Sequence, residues 1–437
     1  MIPRRPVHLS VAWAAVSLAF VAAPVRAADP ETAAAAPAAA RAVPDRERAR
    51  MNQRVFDRVW SEVRTQYYDP DLHGVDWNEA RRAWRPVALN APDDRALYRA
   101  LGEMLDLLDD DHAGVAPPAV ARRQDALRRR RAAIGVSLRP EPSGEGYVIE
   151  QVRPGSPAAE AGVVAGWRLI AGEGALWTPE QDIAEGRPVT LALVDGDGAA
   201  RPLTLTPRMM EPAPAFVADR SRPGVLVLTV DGFELGLGRW MGEQLEELPP
   251  ETDVVIDLRG NPGGRLAEAD AVLSCFLPRD RPWAARTGRS GRRVELRTEG
   301  GCGDLVRPVG NDVAVLIDGD SRSAAELTPA ALQEAGRAVV VGAPTAGAVL
   351  ISQETRLPDG GRLSLSRADF VTSGGVRLEK RGVTPDVAAP LTPEDQRVGR
   401  DPGLEAAVAA LAEPEPAKAA QASSLPSSNA AASPWSS

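Results

Sequence analysis

Residues 313–342 read VAVLIDGDSRSAAELTPAALQEAGRAVVVG. The apolar run 313–317 predicts a strand, the segment 324–335 a helix, and 338–342 a second strand. Upstream the same alternation recurs, with strands at 225–230 and 254–258 and helices near 240–248 and 266–276. Apolar strands alternating with helices imply an α/β layer with a largely parallel sheet. In such layers chemistry collects in the loops at strand ends. Two loops stand out: Asp318-Gly319-Asp320-Ser321-Arg322-Ser323, and Asp257-Leu258-Arg259-Gly260-Asn261-Pro262-Gly263-Gly264.

Away from this core the pattern changes. Between about 50 and 112 apolar residues fall at helical spacing: Val55, Val59 and Val63 on one face, and Leu97, Leu101, Met104 or Leu105, and Leu108 on another. Between about 133 and 208 short strands are expected at 134–138, 147–152, 189–194 and 203–206, with turns at Gly144 and at Asp195-Gly196-Asp197-Gly198. Within that stretch Ser156-Pro157-Ala158-Ala159-Glu160-Ala161-Gly162 spells a short helix: Ser as cap, Pro at the first position, Gly past the end. The expected organisation is a signal peptide at 1–27, a disordered linker at 28–47, a helical domain at 48–118, a small β domain at 133–208, the α/β core at 220–392 and a disordered tail at 412–437.

The leader reading rests on Arg4 and Arg5, the apolar run 9–23 and the small-residue site Val25-Arg26-Ala27. That run is short for a membrane span, and no later stretch approaches the roughly 18–20 apolar residues a span needs. About 410 residues would remain after cleavage, enough for two or three domains. The reading is therefore a periplasmic or secreted chain without a stable membrane span. A net charge of -9 with no basic cluster argues against nucleic acid as a partner. Cys275 and Cys302 could pair in an oxidising compartment or remain buried thiols. With so few cysteines and histidines, no structural metal site is expected.

Ser323 opens a helix, where unpaired backbone N–H groups and the dipole's positive end favour a developing oxyanion, so it is a candidate nucleophile. Ser323-x-x-Glu326 is equally a capping box, and Ser321 is a second candidate in the same loop. Glycines 263 and 264 let backbone N–H groups approach a ligand closely. His112, in Asp109-Asp110-Asp111-His112-Ala113-Gly114, could be a base or simply meet a helix dipole. Glu379 taken alone is a solvated charge, and His73 a structural residue.

Taken together, DLRGNPGG, SRSAAE, VVVGAPTAGA, LPDGGRLSLS and GVTPDV, in that order over about 223–390, resemble the tail-specific (carboxyl-terminal processing) and tricorn-core serine protease family. YYDPDLHGVDW and LLDDDHAG extend the resemblance toward the N-terminus. Residues 135–138 and 154–163 resemble a PDZ domain, although the usual Gly-Asp is Gly166-Trp167 here. The resemblance implies a multidomain α+β chain with a crotonase-like layered ββα core. It also implies peptide binding by strand addition at Gly135, Val136, Ser137 and Leu138.

The processing-protease branch uses a Lys base whose position is Ala348 here, and the chain's two lysines are Lys380 and Lys418. The tricorn branch's catalytic set falls on Ser323, His112 and Glu379, with Ala324 and one of Gly263 or Gly264 as oxyanion donors. The expectation is a serine endopeptidase acting on unfolded or C-terminally presented polypeptides, without cofactors. The alternative is a non-catalytic peptide-binding protein of the same fold, in which Ser323 and His112 would lie far apart.

Overall fold

The computed structural model describes residues 46–127, 130–141, 146–170, 183–392, 395 and 400–412. The leader, most of the linker, the turn at Gly144 and the tail lie outside these residues. Helix begins at Arg46, inside the span assigned to the linker. Residues 132–208 cluster as one compact unit and the remaining described residues as a second.

The smaller unit is a five-stranded antiparallel sheet in the order Val136–Pro140, Gly146–Val152, Arg168–Ile170, Val189–Val194, Ala200–Leu205. Alternate residues of these strands, among them Ile149, Leu169, Leu191, Leu193 and Leu205, join Ala158 and Val163 in its core. Burial of each large side chain contributes about 1.5–3 kcal/mol. The helix Pro157–Glu160 starts as its sequence predicts, with Ser156 Oγ accepting from Ala159 N at 3.2 Å. Gly135 has φ +85° and a Cβ there would lie 2.1 Å from Ser156 Cβ, so glycine alone fits before the edge strand.

In the larger unit a six-stranded sheet runs Val387–Ala388, Val339–Gly342, Val313–Ile317, Asp253–Asp257, Val225–Val230, Phe216–Asp219. All neighbours are parallel except the last pair. The strands read as unbroken apolar runs because both faces are covered. Leu226, Leu228, Val230, Val254 and Ile256 meet helices Leu237–Leu245, Leu266–Phe276 and Ala324–Glu334 on one face. Val225, Val227, Val255, Ala314 and Leu316 meet helix Pro402–Ala412 on the other. A disulfide joins Cys275, near the end of helix Leu266–Phe276, to Cys302.

The helices Arg46–Gln66, Trp77–Leu89 and Asp94–Leu105 bury the predicted valine and leucine faces. Trp60 and Trp77 lock two of them together, each donating its indole N–H to the other's backbone carbonyl at 2.9 and 3.0 Å. Their core also contains Leu357, Leu363 and Leu365 from a second sheet. In that sheet Arg362–Thr372 pairs with Gly114–Ala116, Pro282–Gly288 and Ile351–Arg356, and Pro282–Gly288 pairs with Arg293–Arg297. Sequence reading assigned no strand to these segments. Arg362–Thr372 nonetheless buries nearly every second residue, as a half-buried antiparallel strand must. Pairing of Gly114–Ala116 with it anchors the chain immediately after His112.

Candidate active site

The strand Val313–Ile317 and the strand Asp253–Asp257 end side by side, and their two loops are stitched together. Asp318 Oδ1 accepts from Gly260 N at 2.9 Å, and the fully buried Asn261 gives its carbonyl to Arg322 N at 2.9 Å. Ser321 is consumed in this scaffold: its Oγ donates to Leu258 O at 2.8 Å and accepts from Asp318 N at 3.0 Å. It is structural, which leaves Ser323 as the serine of the loop with access to space.

Ser323 sits at φ 55°, ψ −116°, a conformation that a residue with a side chain adopts only under constraint. The constraint is Glu326, a carboxylate with no solvent exposure. Its two oxygens accept from Ser323 N (3.0 Å), Ala348 N (2.8 Å), Gly347 N (2.7 Å) and Thr345 Oγ1 (2.5 Å). Ser323 N also points to Ala348 O at 2.8 Å. Gly263 packs so tightly on the serine that a Cβ there would lie 2.7 Å from Ser323 Cβ. The Ser323-x-x-Glu326 pattern is therefore a capping contact whose carboxylate also holds the neighbouring loop.

A cleft of about 550 Å³ opens above Ser323, lined among others by His112, Asp111, Gly264, Arg322, Ala324 and Ala348. His112 and Ser323 thus come together from chain positions more than two hundred residues apart. Among the described residues, Ala324 N and Gly264 N have no acceptor. Gly263, the alternative donor, gives its N–H to Asn261 Oδ1 at 2.7 Å and is already spent. Ala348 is buried, and Lys380, the one lysine among the described residues, pairs with Asp111 Oδ2 at 2.7 Å.

Behind His112 stand two carboxylates. Asp110 Oδ1 accepts the His112 backbone N–H at 2.8 Å and lies 3.5 Å from its ring Nδ1. Glu379, buried, accepts from Val349 N at 2.8 Å and Leu350 N at 3.3 Å. Burial alone would lower the imidazole's pKa, but the facing Asp110 carboxylate and the charge of Glu379 outweigh it and hold His112 above the usual histidine value. Burial pushes the Glu379 carboxyl up, against its backbone donors and the His112 charge. Asp110 is held below the usual carboxylate range, because the His112 and Ser366 groups that face it and the His112 backbone N–H outweigh its burial. Sequence reading did not assign Asp110 a role; its signal was the position two residues before the histidine in Asp-Asp-Asp-His. His73 is occupied elsewhere, with Nδ1 2.7 Å from Leu108 O and Nε2 2.9 Å from Tyr68 OH.

The smaller unit has its own candidate surface. Val136, Ser137 and Leu138 lie on the strand at one end of its sheet, whose single described partner strand is Gly146–Val152.

Comparison with known proteins matches what this geometry can do. Residues 224–389 match the model of peptidase family S41, and residues 48–106 that of the tricorn protease C1 domain. The carboxyl-terminal-processing protease of Synechocystis sp. is 26% identical over 349 residues, covering 76% of this chain and 80% of that protein. Tricorn protease homolog 1 of Streptomyces coelicolor is 28% identical over 405 residues, covering 86% of this chain and 36% of that protein. Among solved structures, the photosystem II D1 C-terminal processing protease superposes with a TM-score of 0.53 at 23% identity, covering 83% of this chain and 97% of that one. The protein is a serine-type peptidase. Its residues 224–389 are the part that matches peptidase family S41, and along most of its length it resembles carboxyl-terminal-processing and tricorn-type proteases.

Proposed function

We propose that this peptidase is an exported endopeptidase that cleaves unfolded or C-terminally presented polypeptides, with Ser323 as nucleophile, His112 as base and Glu379 as a supporting negative charge. The observation that carries this reading is a single cleft lined by Ser323, His112 and two backbone N–H groups without acceptors. Ser323 Oγ attacks the scissile carbonyl carbon while its proton passes to His112. The carbonyl oxygen becomes an oxyanion held by Ala324 N and Gly264 N. Collapse expels the amine, which takes the proton from His112, and water releases the acyl group by the same route in reverse.

The base is a histidine rather than a lysine because Ala348 stands at the processing-protease lysine position and Lys380 is paired with Asp111. The raised pKa of His112 suits a base that must accept a proton in a buried setting. We read the core as the crotonase-like layered arrangement and residues 132–208 as PDZ-like, with the edge strand at 136–138 taking a peptide by strand addition. The leader-like residues 1–27 support export to the periplasm. No helix among the described residues is long and apolar enough to cross a membrane.

Intact-mass measurement after treatment with a fluorophosphonate probe tests the chemistry. One adduct is expected on the parent, none on Ser323→Ala, and labelling slowed roughly 10²-fold or more on His112→Ala. No adduct on the parent, even with peptide present, would leave a peptide-binding protein as the better account.

A further inference from the structure

Four buried side-chain atoms without a hydrogen-bond partner belong to one neighbourhood: His112 Nδ1, Asp110 Oδ2, Tyr67 OH and Ser366 Oγ. Tyr67 and Ser366 have no solvent exposure, and the Asp110 side chain is fully buried. Such atoms are costly when left alone, and native interiors leave few of them. Here donors and acceptors balance. The imidazole Nδ1–H and two hydroxyls can donate, and a carboxylate with about four lone-pair sites has given one to the His112 backbone N–H. These groups already act on one another, since Asp110 raises both the Tyr67 phenol, after burial, and the His112 imidazole. Three come from different parts of the chain: the end of the first helix, the loop before Gly114–Ala116, and the strand Arg362–Thr372.

We infer that Asp110, seated by Tyr67 and Ser366, is the positioning carboxylate that fixes the tautomer and orientation of His112, and that Glu379 contributes charge without holding the ring. This deepens the proposed function and rests on it. With Nδ1–H directed at Asp110, Nε2 is the nitrogen left to take the Ser323 proton. Glu379 suits the lesser role because the backbone donors Val349 and Leu350 share its Oε2, and no hydrogen bond joins it to His112 among the described residues. The contact at 3.5 Å is one that shortens when substrate fills the cleft, as catalytic hydrogen bonds commonly do.

The test separates positioning from turnover. In full-length Ser323→Ala protein carrying ¹⁵N-labelled histidine, the imidazole N–H resonance of interest is the one that His112→Ala deletes; the chain has three histidines. Adding Asp110→Asn is expected to abolish that downfield signal and lower the His112 pKa. Adding Glu379→Gln is expected to leave the signal in place with a smaller fall. The groups facing His112 are Asp110, Glu379 and the Ala348 backbone, and those facing Asp110 are His112, Tyr67, Tyr68, Ser366 and Glu379.

In the active protein, Asp110→Asn should lower kcat by roughly 10³-fold with KM nearly unchanged, and move the acid limb of the pH profile to lower pH. Asp110→Glu should recover part of the loss, and Tyr67→Phe should cost roughly 3- to 10-fold. A signal lost in Glu379→Gln and kept in Asp110→Asn would overturn the assignment. If Asp110→Asn fails to fold, the Glu379→Gln spectrum alone decides. Failure of Ser323 to label in the parent would instead reject the proposed function, a result the spectra do not depend on.

Discussion

Two buried carboxylates stand behind the two halves of the site, and they are finished to different degrees. Glu326 accepts four hydrogen bonds, all at 3.0 Å or less, from the nucleophile loop and the loop at 345–348. Asp110 accepts one backbone bond and faces three polar atoms that have no partner. The nucleophile half is thus rigid before substrate arrives, which is what an oxyanion site needs if reorganisation is not to be charged to the reaction. The base half keeps unspent hydrogen-bonding capacity, with Asp110 Oδ1 still 3.5 Å from the His112 ring.

Removing the hub of the finished half should do the most damage. Glu326→Ala leaves the Gly347 and Ala348 N–H groups and the Thr345 hydroxyl buried without their acceptor, with only Ala348 O remaining for Ser323 N, and should cost about 3–5 kcal/mol. Stability and Ser323 labelling should fall together, read by denaturant unfolding and by the rate of fluorophosphonate adduct formation. Were the variant to keep full labelling, Glu326 would be a cap like any other, and the contrast with Asp110 would vanish.

A smaller lesion keeps the hub and presses on the serine. Gly263→Ala places a methyl group at φ +93°, 2.7 Å from both Arg322 O and Ser323 Cβ. About 2 kcal/mol of destabilisation is expected. Labelling should slow by roughly 10²-fold, because a displaced nucleophile loses its alignment. Labelling at the parent rate would mean that the two loops yield more easily than their packing implies.

Much of the nucleophile half could be read from the chain, and less of the base half. Strands Val225–Val230 and Val313–Ile317 and the helix Leu266–Phe276 fall where the apolar runs and helical spacing put them, because a sheet covered on both faces writes itself as unbroken valine and isoleucine. The second sheet went unread. Arg362–Thr372 alternates with charged and hydroxyl residues, and although Ile351–Arg356 precedes it across the turn Asp359-Gly360-Gly361, its other partners, Gly114–Ala116 and Pro282–Gly288, lie far away in sequence. With it went Ser366, and with Ser366 the surroundings of Asp110. Tyr67 and Asp110 were visible only as letters, since their proximity comes from the helix–sheet packing of Leu101, Leu363 and Leu365. Gly263 and Gly264 were interchangeable in sequence; only the Asn261 side chain distinguishes them.

A third carboxylate calibrates the other two. Asp401, just before helix Pro402–Ala412, holds Arg259 of the glycine-rich loop with both oxygens at 2.8 Å, and Asp257 takes the same guanidinium from the other side. Burial raises the Asp401 carboxyl, but the Arg259 hydrogen bonds outweigh this and hold it below the usual range. A carboxyl depressed in the folded state stabilises above its unfolded value of about 3.9, and that contribution is lost as pH falls through the folded value. Because the pair is partly open to solvent, Asp401→Asn should cost only about 1 kcal/mol at pH 7. The difference from the parent should close as pH falls through the depressed folded value of Asp401. Ser323 labelling should change less than about twofold, since Asn261 and Asp318 hold the two loops together without Arg259. If Asp401→Asn slows labelling as much as Gly263→Ala does, the nucleophile half is not self-contained but borrows its rigidity from the C-terminal helix.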